Sequence, residues 1–296
     1  MTQRDPEQVT ILHLSDMQFG RNHRFRALDE RTETSPDAIL ETLLTRLTDD
    51  LRLLKDSHGI RADLVVMSGD LTEWGLRTEF GQVRRFIDGL AHNLGLPRRC
   101  FVLLPGNHDV NRKLCESYFS ECEGRETVPA PPYFRKWEPF VDLFREVYAS
   151  DGDIQFTEEE PWSLFVYQEH RLVVAAFNST MAESHRAEDH FGQLGERQLR
   201  WFAERLRAYR QQVHLLAAVV GRNLEFGDGL RQEHRRFQVD LHHFIERFFG
   251  DLDQLFLALD ADAVHQDIDL AVVFRSGCDC GANAVGGMRI DGHGAG

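Results

Sequence analysis

The feature that most narrows the fold is a unit that occurs three times before residue 110: a short apolar run that stops at a cluster of small and polar residues. Val9 to Leu14 (VTILHL) runs into Ser15-Asp16, Asp63 to Met67 (DLVVM) into Ser68-Gly69-Asp70, and Cys100 to Leu104 (CFVLL) into Pro105-Gly106-Asn107-His108-Asp109. Apolar runs of that length, closed by turn-forming residues, read as buried strands. Between the first two, the leucines and isoleucine of Asp37 to Lys55 recur three and four residues apart, with Pro36 in a first-turn position and Gly59 just beyond the end. That is an amphipathic helix, and Glu79 to Leu94 reads as another. Strand, polar tip and connection in succession imply an α/β architecture, in which ligand sites favour the carboxyl ends of strands.

The rest of the chain is less regular. From Lys113 to Pro161 prolines interrupt an aromatic-rich stretch containing Tyr133, Phe134, Trp137, Phe140 and Phe144, which reads as an insertion over the edge of the site. Arg171 to Phe177 and Val213 to Val220 are strand-like, and Gly195 to Arg210 is helical. Glu233 to Gly250 has helical spacing, Ile268 to Phe274 is a last apolar run, and Gly277 to Gly296 is a glycine-rich, frayed tail. With no internal repeat and no dividing linker, residues 1–296 read as one domain whose segment 221–296 is atypical.

Composition excludes several classes. No stretch reaches the length of a membrane span, and Met1 to Gln8 is too polar for a signal peptide, so a soluble cytoplasmic protein is expected. Five cysteines, an odd number in a chain of 296 residues, argue for reduced thiols rather than a disulfide framework. A formal charge of −14 disfavours general nucleic-acid binding and leaves a locally bound phosphoester compatible.

The three tips carry a consistent chemistry. Hydrolysis of a phosphoester with two metals needs a bridging anion, further oxygen or nitrogen donors and an activated water. Asp16 and Gln18, two residues apart, can aim at one ion, and the two oxygens of Asp70 can bridge two. Asn107 offers an amide oxygen, and His108 can donate a proton or hydrogen bond to the leaving oxygen. Gly69 and Gly106 permit the turns. Gln18 has two readings, as a ligand or as a hydrogen-bond partner of a metal-bound water.

Ser68-Gly69-Asp70 and Pro105-Gly106-Asn107-His108-Asp109, in that order and each after an apolar strand, resemble the calcineurin-like metallophosphoesterase family. The resemblance implies a four-layer α-β-β-α sandwich with two central mixed sheets. It implies Asp16 and Gln18 on a first metal, Asp70 bridging, Asn107 on a second metal, His108 assisting at the substrate and Asp109 orienting His108. It further implies two divalent ions of the manganese, iron or zinc kind, a phosphoester substrate and attack by metal-bound hydroxide. The family's first motif has histidine where this chain has Gln18. Its later histidines are also replaced: the strand ending at Val220 leads into Gly221-Arg222-Asn223, and Gly277-Cys278-Asp279-Cys280 puts cysteines in the last motif's histidine places. Cys278 and Cys280 are therefore candidate substitute ligands. The replacements also motivate the alternative of a family member that has lost catalysis and serves as a binding or regulatory module.

Other polar residues have two readings each. Arg21, His23 and Arg24 could grip a phosphate or form an exposed turn. His185, Asp189 and His190 read as solvated loop or as an edge of the site, and Cys115 and Cys122 as unpaired packing residues. His234, His242 and His243 sit on an amphipathic helix pattern and receive no role.

Overall fold

Three parallel-paired strands frame the amino-terminal half: β1 (Gln8–Leu14), β2 (Leu64–Ser68) and β3 (Phe101–Leu104). Their register pairs Leu14 with Met67 and Ser68 with Leu104, which brings the three expected polar tips to one edge of the sheet. The computed structural model describes residues 8–21, 23, 36–209, 215–220, 256–259, 268–270, 272–275 and 288–290. All five residues of β2 and all four of β3 are buried, and apart from Ser68 at the end of β2 they are apolar rather than alternating, as a sheet covered on both faces requires.

The connections are helices α1 (Pro36–His58) and α2 (Arg77–Leu94), packed on each other. Phe80, Val83, Phe86, Ile87 and Leu90 form the buried stripe of α2, and the helix ends at Gly95 in the left-handed conformation (φ 69°) that favours glycine.

A second sheet is built from β4 (Ser163–Tyr167), β5 (Leu172–Phe177), β6 (Leu215–Val220) and β7 (Phe256–Leu259), in that spatial order. The β4–β5 pair is antiparallel and the other two pairs are parallel. β5 divides its side chains between two cores. Leu172, Val174 and Ala176 join the core shared with the first sheet, while Val173, Ala175 and Phe177 pack under Phe202, Ala203 and Leu206 of α5 (Glu196–Tyr209). β4 was not anticipated; its apolar run, Leu164 to Tyr167, is only four residues long and follows the proline-interrupted segment, and its residues alternate between buried and half-buried.

Two more strands, β8 (Ile268–Leu270) and β9 (Val272–Arg275), replace the single run expected there, and β9 pairs antiparallel with β1. The expected frayed tail contains β10 (Met288–Ile290), paired with β8. The helix expected over Glu233 to Gly250 lies outside the described residues. Among the described residues no helix is long and apolar enough to cross a membrane.

The segment 113–161 is not confined to the rim. It contains most of α3 (Arg112–Gly124) and all of α4 (Glu138–Val147), and Trp137, Phe140, Phe144, Tyr148 and Phe156 belong to the main core. The Tyr148 hydroxyl donates to the Phe101 carbonyl (2.5 Å), and the Tyr167 hydroxyl to that of Arg99 (2.8 Å). The first caps a carbonyl of the edge strand β3 and the second one in the turn that leads into it.

Lys136 ties this segment to the second sheet. Its side chain is fully buried, and its Nζ donates to the carbonyls of Thr180 (2.8 Å), Met181 (3.0 Å) and Glu183 (2.6 Å), matching the three hydrogens of an ammonium. The Trp137 ring lies 4.4 Å from Nζ, and its own N–H donates to the Thr180 hydroxyl (2.9 Å). Lys136→Met keeps the stem but strands three buried carbonyls. We expect it to lower the unfolding free energy by about 3 kcal/mol or more, read from urea denaturation, and a change within experimental error would show that the 180–183 loop holds without the ammonium.

A candidate active site at the strand tips

The chain leaves β1 and β2 through strained turns. Asp16, Gln18 and Asp70 all take left-handed backbone conformations (φ 54°, 45° and 50°), which cost a non-glycine residue about 1–3 kcal/mol each. The strain is held by hydrogen bonds between the two tips: Asp16 N donates to Gly69 O (3.3 Å), Gln18 N to Asp70 O (2.8 Å) and Phe19 N to Leu71 O (2.8 Å). The third tip closes on the second. The Gly106 backbone is so close to Asp70 that a Cβ there would sit 2.3 Å from Asp70 Oδ1, and the His108 N–H donates to the same oxygen (3.0 Å). Gly69 is bound by the same approach, since a Cβ on it would lie 2.7 Å from Gly106 N.

Asp70 and Asn107 are buried, while Asp16, Gln18 and His108 are partly exposed. Burial pushes the Asp70 carboxyl up to about 8; the charge of His108 and its N–H bond pull the other way, and the nearby Asp16 and Asp109 carboxylates add to the rise. A buried carboxyl beside a second carboxylate is an arrangement that a cation would relieve. The donors at the tips fit one: carboxylate oxygens from Asp16 and Asp70, amide oxygens from Gln18 and Asn107, and imidazole nitrogen from His108. Among the described residues no three His, Cys, Asp or Glu side chains form a ligand cluster, so amide oxygens would have to complete any shell built here. Cys278, Cys280 and the Gly221-Arg222-Asn223 stretch lie outside the described residues.

The role expected for Asp109 is corrected. Its fully buried carboxylate accepts from Gly106 N (2.8 Å), Leu71 N (3.1 Å), Thr72 N (2.9 Å) and the Thr72 hydroxyl (2.9 Å), so it locks the second and third tips together. Burial raises its pKa to about 6 against the pull of those four bonds. The atom that meets the His108 ring is the Glu73 carbonyl, 3.0 Å from Nδ1. A carbonyl only accepts, so Nδ1 carries the hydrogen in this bond. Glu73 itself is fixed by its N–H on Phe19 O (3.0 Å), and Glu79 Oε2 accepts from the N–H groups of Trp74 (2.9 Å) and Leu76 (3.0 Å). Sequence reasoning missed these supports because most act through the backbone; the acidic residue in the first turn of α2 was the one visible signal.

The remaining candidates resolve as packing. Phe119 meets the half-buried His185 ring edge-on (4.7 Å), Asp189 accepts from the Ser184 hydroxyl (2.5 Å), and His190 Nε2 lies 3.2 Å from Ser184 O. Cys115 and Cys122 are buried thiols, as is Cys100. His23 is buried and stacked on Phe19 (4.9 Å, 21° between planes), and desolvation lowers its pKa to about 4, so it is neutral at pH 7 and gives a phosphate no cation. His234, His242, His243 and Arg24 lie outside the described residues.

Two measurements follow from this geometry. Gly106→Ala forces a methyl against Asp70 and should cost about 1–3 kcal/mol of stability or more; an unchanged melting temperature would mean that the tips can separate freely. His23 gives a pH signature. Its folded pKa of about 4 lies below the model-peptide value of 6.5, so its stabilising contribution is whole above pH 6.5 and is lost as pH falls toward 4. His23→Phe should therefore flatten the acid side of the melting profile in that window, and parallel profiles for the two proteins would exclude a neutral buried imidazole.

A comparison with curated proteins finds no match. Among solved structures, the chain is similar to a dimetal phosphatase from Danio rerio at 16% identity, over 79% of this chain and 77% of that one, with a TM-score of 0.32. The sequence profile of the calcineurin-like phosphoesterases matches residues 9–244, a span that contains every residue of the three tips. The chain belongs to the calcineurin-like phosphoesterase family.

Proposed function

We propose that this chain is a metal-dependent phosphoester hydrolase whose reaction takes place where the three strand tips meet. The observation that carries the reading is the convergence on Asp70: Gln18 N on its carbonyl, His108 N on its carboxylate, and Gly106 pressed against it. Asp16 and Asp70 would hold divalent cations of the manganese, iron or zinc kind, with Gln18 and Asn107 supplying amide oxygens and Asp70 placed to bridge two ions. When bound, such cations neutralise charge on the phosphoryl oxygens and lower the pKa of a coordinated water. The same reading carries with it the family's four-layer sandwich and a phosphoester substrate.

The chain's own residues supply the proton handling. With Nδ1–H committed to the Glu73 carbonyl, His108 is held in one orientation, and in its protonated form Nε2–H would stabilise or protonate a leaving oxygen. Burial of Asp70 and Asn107 keeps bulk water from the donors that orient the phosphoryl group. Asp109 acts one step removed, by holding the Asp70 and Asn107 turns in register.

The test combines composition, turnover and stability. We expect the purified chain to bind manganese or zinc stoichiometrically and to hydrolyse a bis-aryl phosphate, with activity in Asp70→Ala reduced at least a hundredfold; no bound metal, and turnover equal to that of the variant, would sink the proposal. Asp70→Asn removes a buried carboxylate next to Asp16, so without metal its melting temperature should equal or exceed the native value by about 2–4 °C, or about 1 kcal/mol. Added Mn2+ should then raise the melting temperature of the native chain and leave that of the variant unchanged.

A further inference from the structure

Trp74 combines a fixed backbone with a free ring. It is 59% exposed, whereas Trp137 and Trp162 are buried. An exposed tryptophan in a loose loop needs no explanation, but both sides of this one are fastened to the candidate site. Its own N–H donates to Glu79 Oε2 (2.9 Å). The carbonyl of the preceding residue, Glu73, accepts from the His108 ring (3.0 Å). The following residue, Gly75, lies so close to the loop after His108 that a Cβ on it would stand 2.8 Å from Asn111 N, and the Asn111 side chain donates to the Gly75 carbonyl (3.0 Å). Trp74 is thus held one residue from the group that orients His108, and Leu76, 43% exposed, continues the apolar surface. Leaving so large an apolar ring in water forgoes the gain of burying it, and the hydrogen bond that fixes its backbone makes no use of the indole.

We propose that Trp74 is a specificity-determining platform on which an aromatic ring of the substrate's ester group stacks, so that aryl or nucleoside phosphoesters are preferred over alkyl ones. The proposal rests on the phosphoester-hydrolase reading of the adjacent tips and deepens it. The indole face offers the ring area and polarisable surface for offset stacking, and His108 Nε2 is the nearby group that would serve the same ester oxygen. The indole has no reacting role.

Phosphonates, whose carbon–phosphorus bond is not cleaved, separate recognition from turnover. The manganese-loaded native chain is titrated with methylphosphonate, phenylphosphonate and the 5′-phosphonate analogue of AMP. At least one of the two ring-bearing ligands should bind about ten- to a hundredfold more tightly than methylphosphonate, the span expected of one aromatic stack, and whichever binds more tightly identifies an aryl or a nucleobase group as the preferred source of the ring. Binding of the ring should quench native tryptophan fluorescence. In Trp74→Ala the preference should collapse to within about threefold while methylphosphonate affinity is unchanged, and Trp74→Phe should keep most of the preference but lose the quenching. A native chain that binds all three ligands equally, or none of them, or a preference that survives in Trp74→Ala, overturns the platform. Absence of phenyl phosphate hydrolysis with the ring preference intact counts against the hydrolase reading alone.

Discussion

The Asp109 carboxylate is the contact on which the candidate site depends. It is fully buried, and its two oxygens take donors from residues 71, 72 and 106, which belong to two different strand tips. Parallel strands fix the spacing of their ends but not the path of the chain beyond them. A carboxylate accepting backbone N–H groups from both sides supplies that missing constraint, and in the dry interior such charge-assisted bonds are stronger than neutral ones. Once the two turns are joined, Gly106 must lie against Asp70, His108 N must reach its carboxylate, and the His108 ring falls beside the Glu73 carbonyl. The Thr72 hydroxyl extends the lock, its single hydrogen lying between two acceptors, Asp109 Oδ1 (2.9 Å) and His108 O (3.1 Å).

Strain and charge burial meet at the tips. Asp16, Gln18 and Asp70 have left-handed backbones there, as Glu126, Tyr133 and Arg171 do elsewhere, but only at the tips is such a residue also a buried, charge-opposed carboxyl, Asp70, and both features cost stability. The surrounding structure offsets these costs through apolar layers that need no adjustment there: the aromatic cluster of Trp137, Phe140, Phe144 and Phe156, and the split packing of β5 between two cores. Lys136 and Asn111 connect the two regions, since Asn111 N donates to Lys136 O (2.9 Å) while Lys136 grips the loop after β5. A change in the segment 113–161 is thereby transmitted to the turns that carry Asn107 and His108 through bonds of known length rather than by proximity alone.

Much of this was legible in the sequence, for reasons that differ by element. The strands β1, β2 and β3 are buried on both faces, so each is a continuous apolar run, and their tips stand out because polarity changes within one residue. Helix α2 shows its buried face at three- and four-residue spacing. β4 was hidden because its apolar run, Leu164 to Tyr167, is short and adjoins the irregular segment, and the aromatic-rich segment was read as an insertion because prolines break its pattern, although its rings fill the core. At the site, Asp16, Asp70, Asn107 and His108 were recognisable as residue types at strand ends. The assignment of Asp109 to His108 was not sound, since adjacency in sequence gave no sign that its four donors would come from elsewhere. Glu73 could not have been found by residue type at all, because its contribution to His108 is made by a carbonyl that every residue possesses.

That last point bears on which substitutions the site can absorb. A group that acts through its carbonyl depends on the backbone staying in place, so the contribution of position 73 to His108 is constrained by geometry. The constraint is passed to neighbours that hold the turn: Glu79, whose carboxylate fixes the N–H groups at 74 and 76, and Gly75, where added bulk would meet the backbone at 110 and 111. These residues make the loop after Asp70 a rigid frame, and a rigid frame leaves its outward side chains free to vary without disturbing the turn. Side chains presented in this way are where one phosphoesterase scaffold can change what it recognises while the residues that orient the phosphorus stay the same.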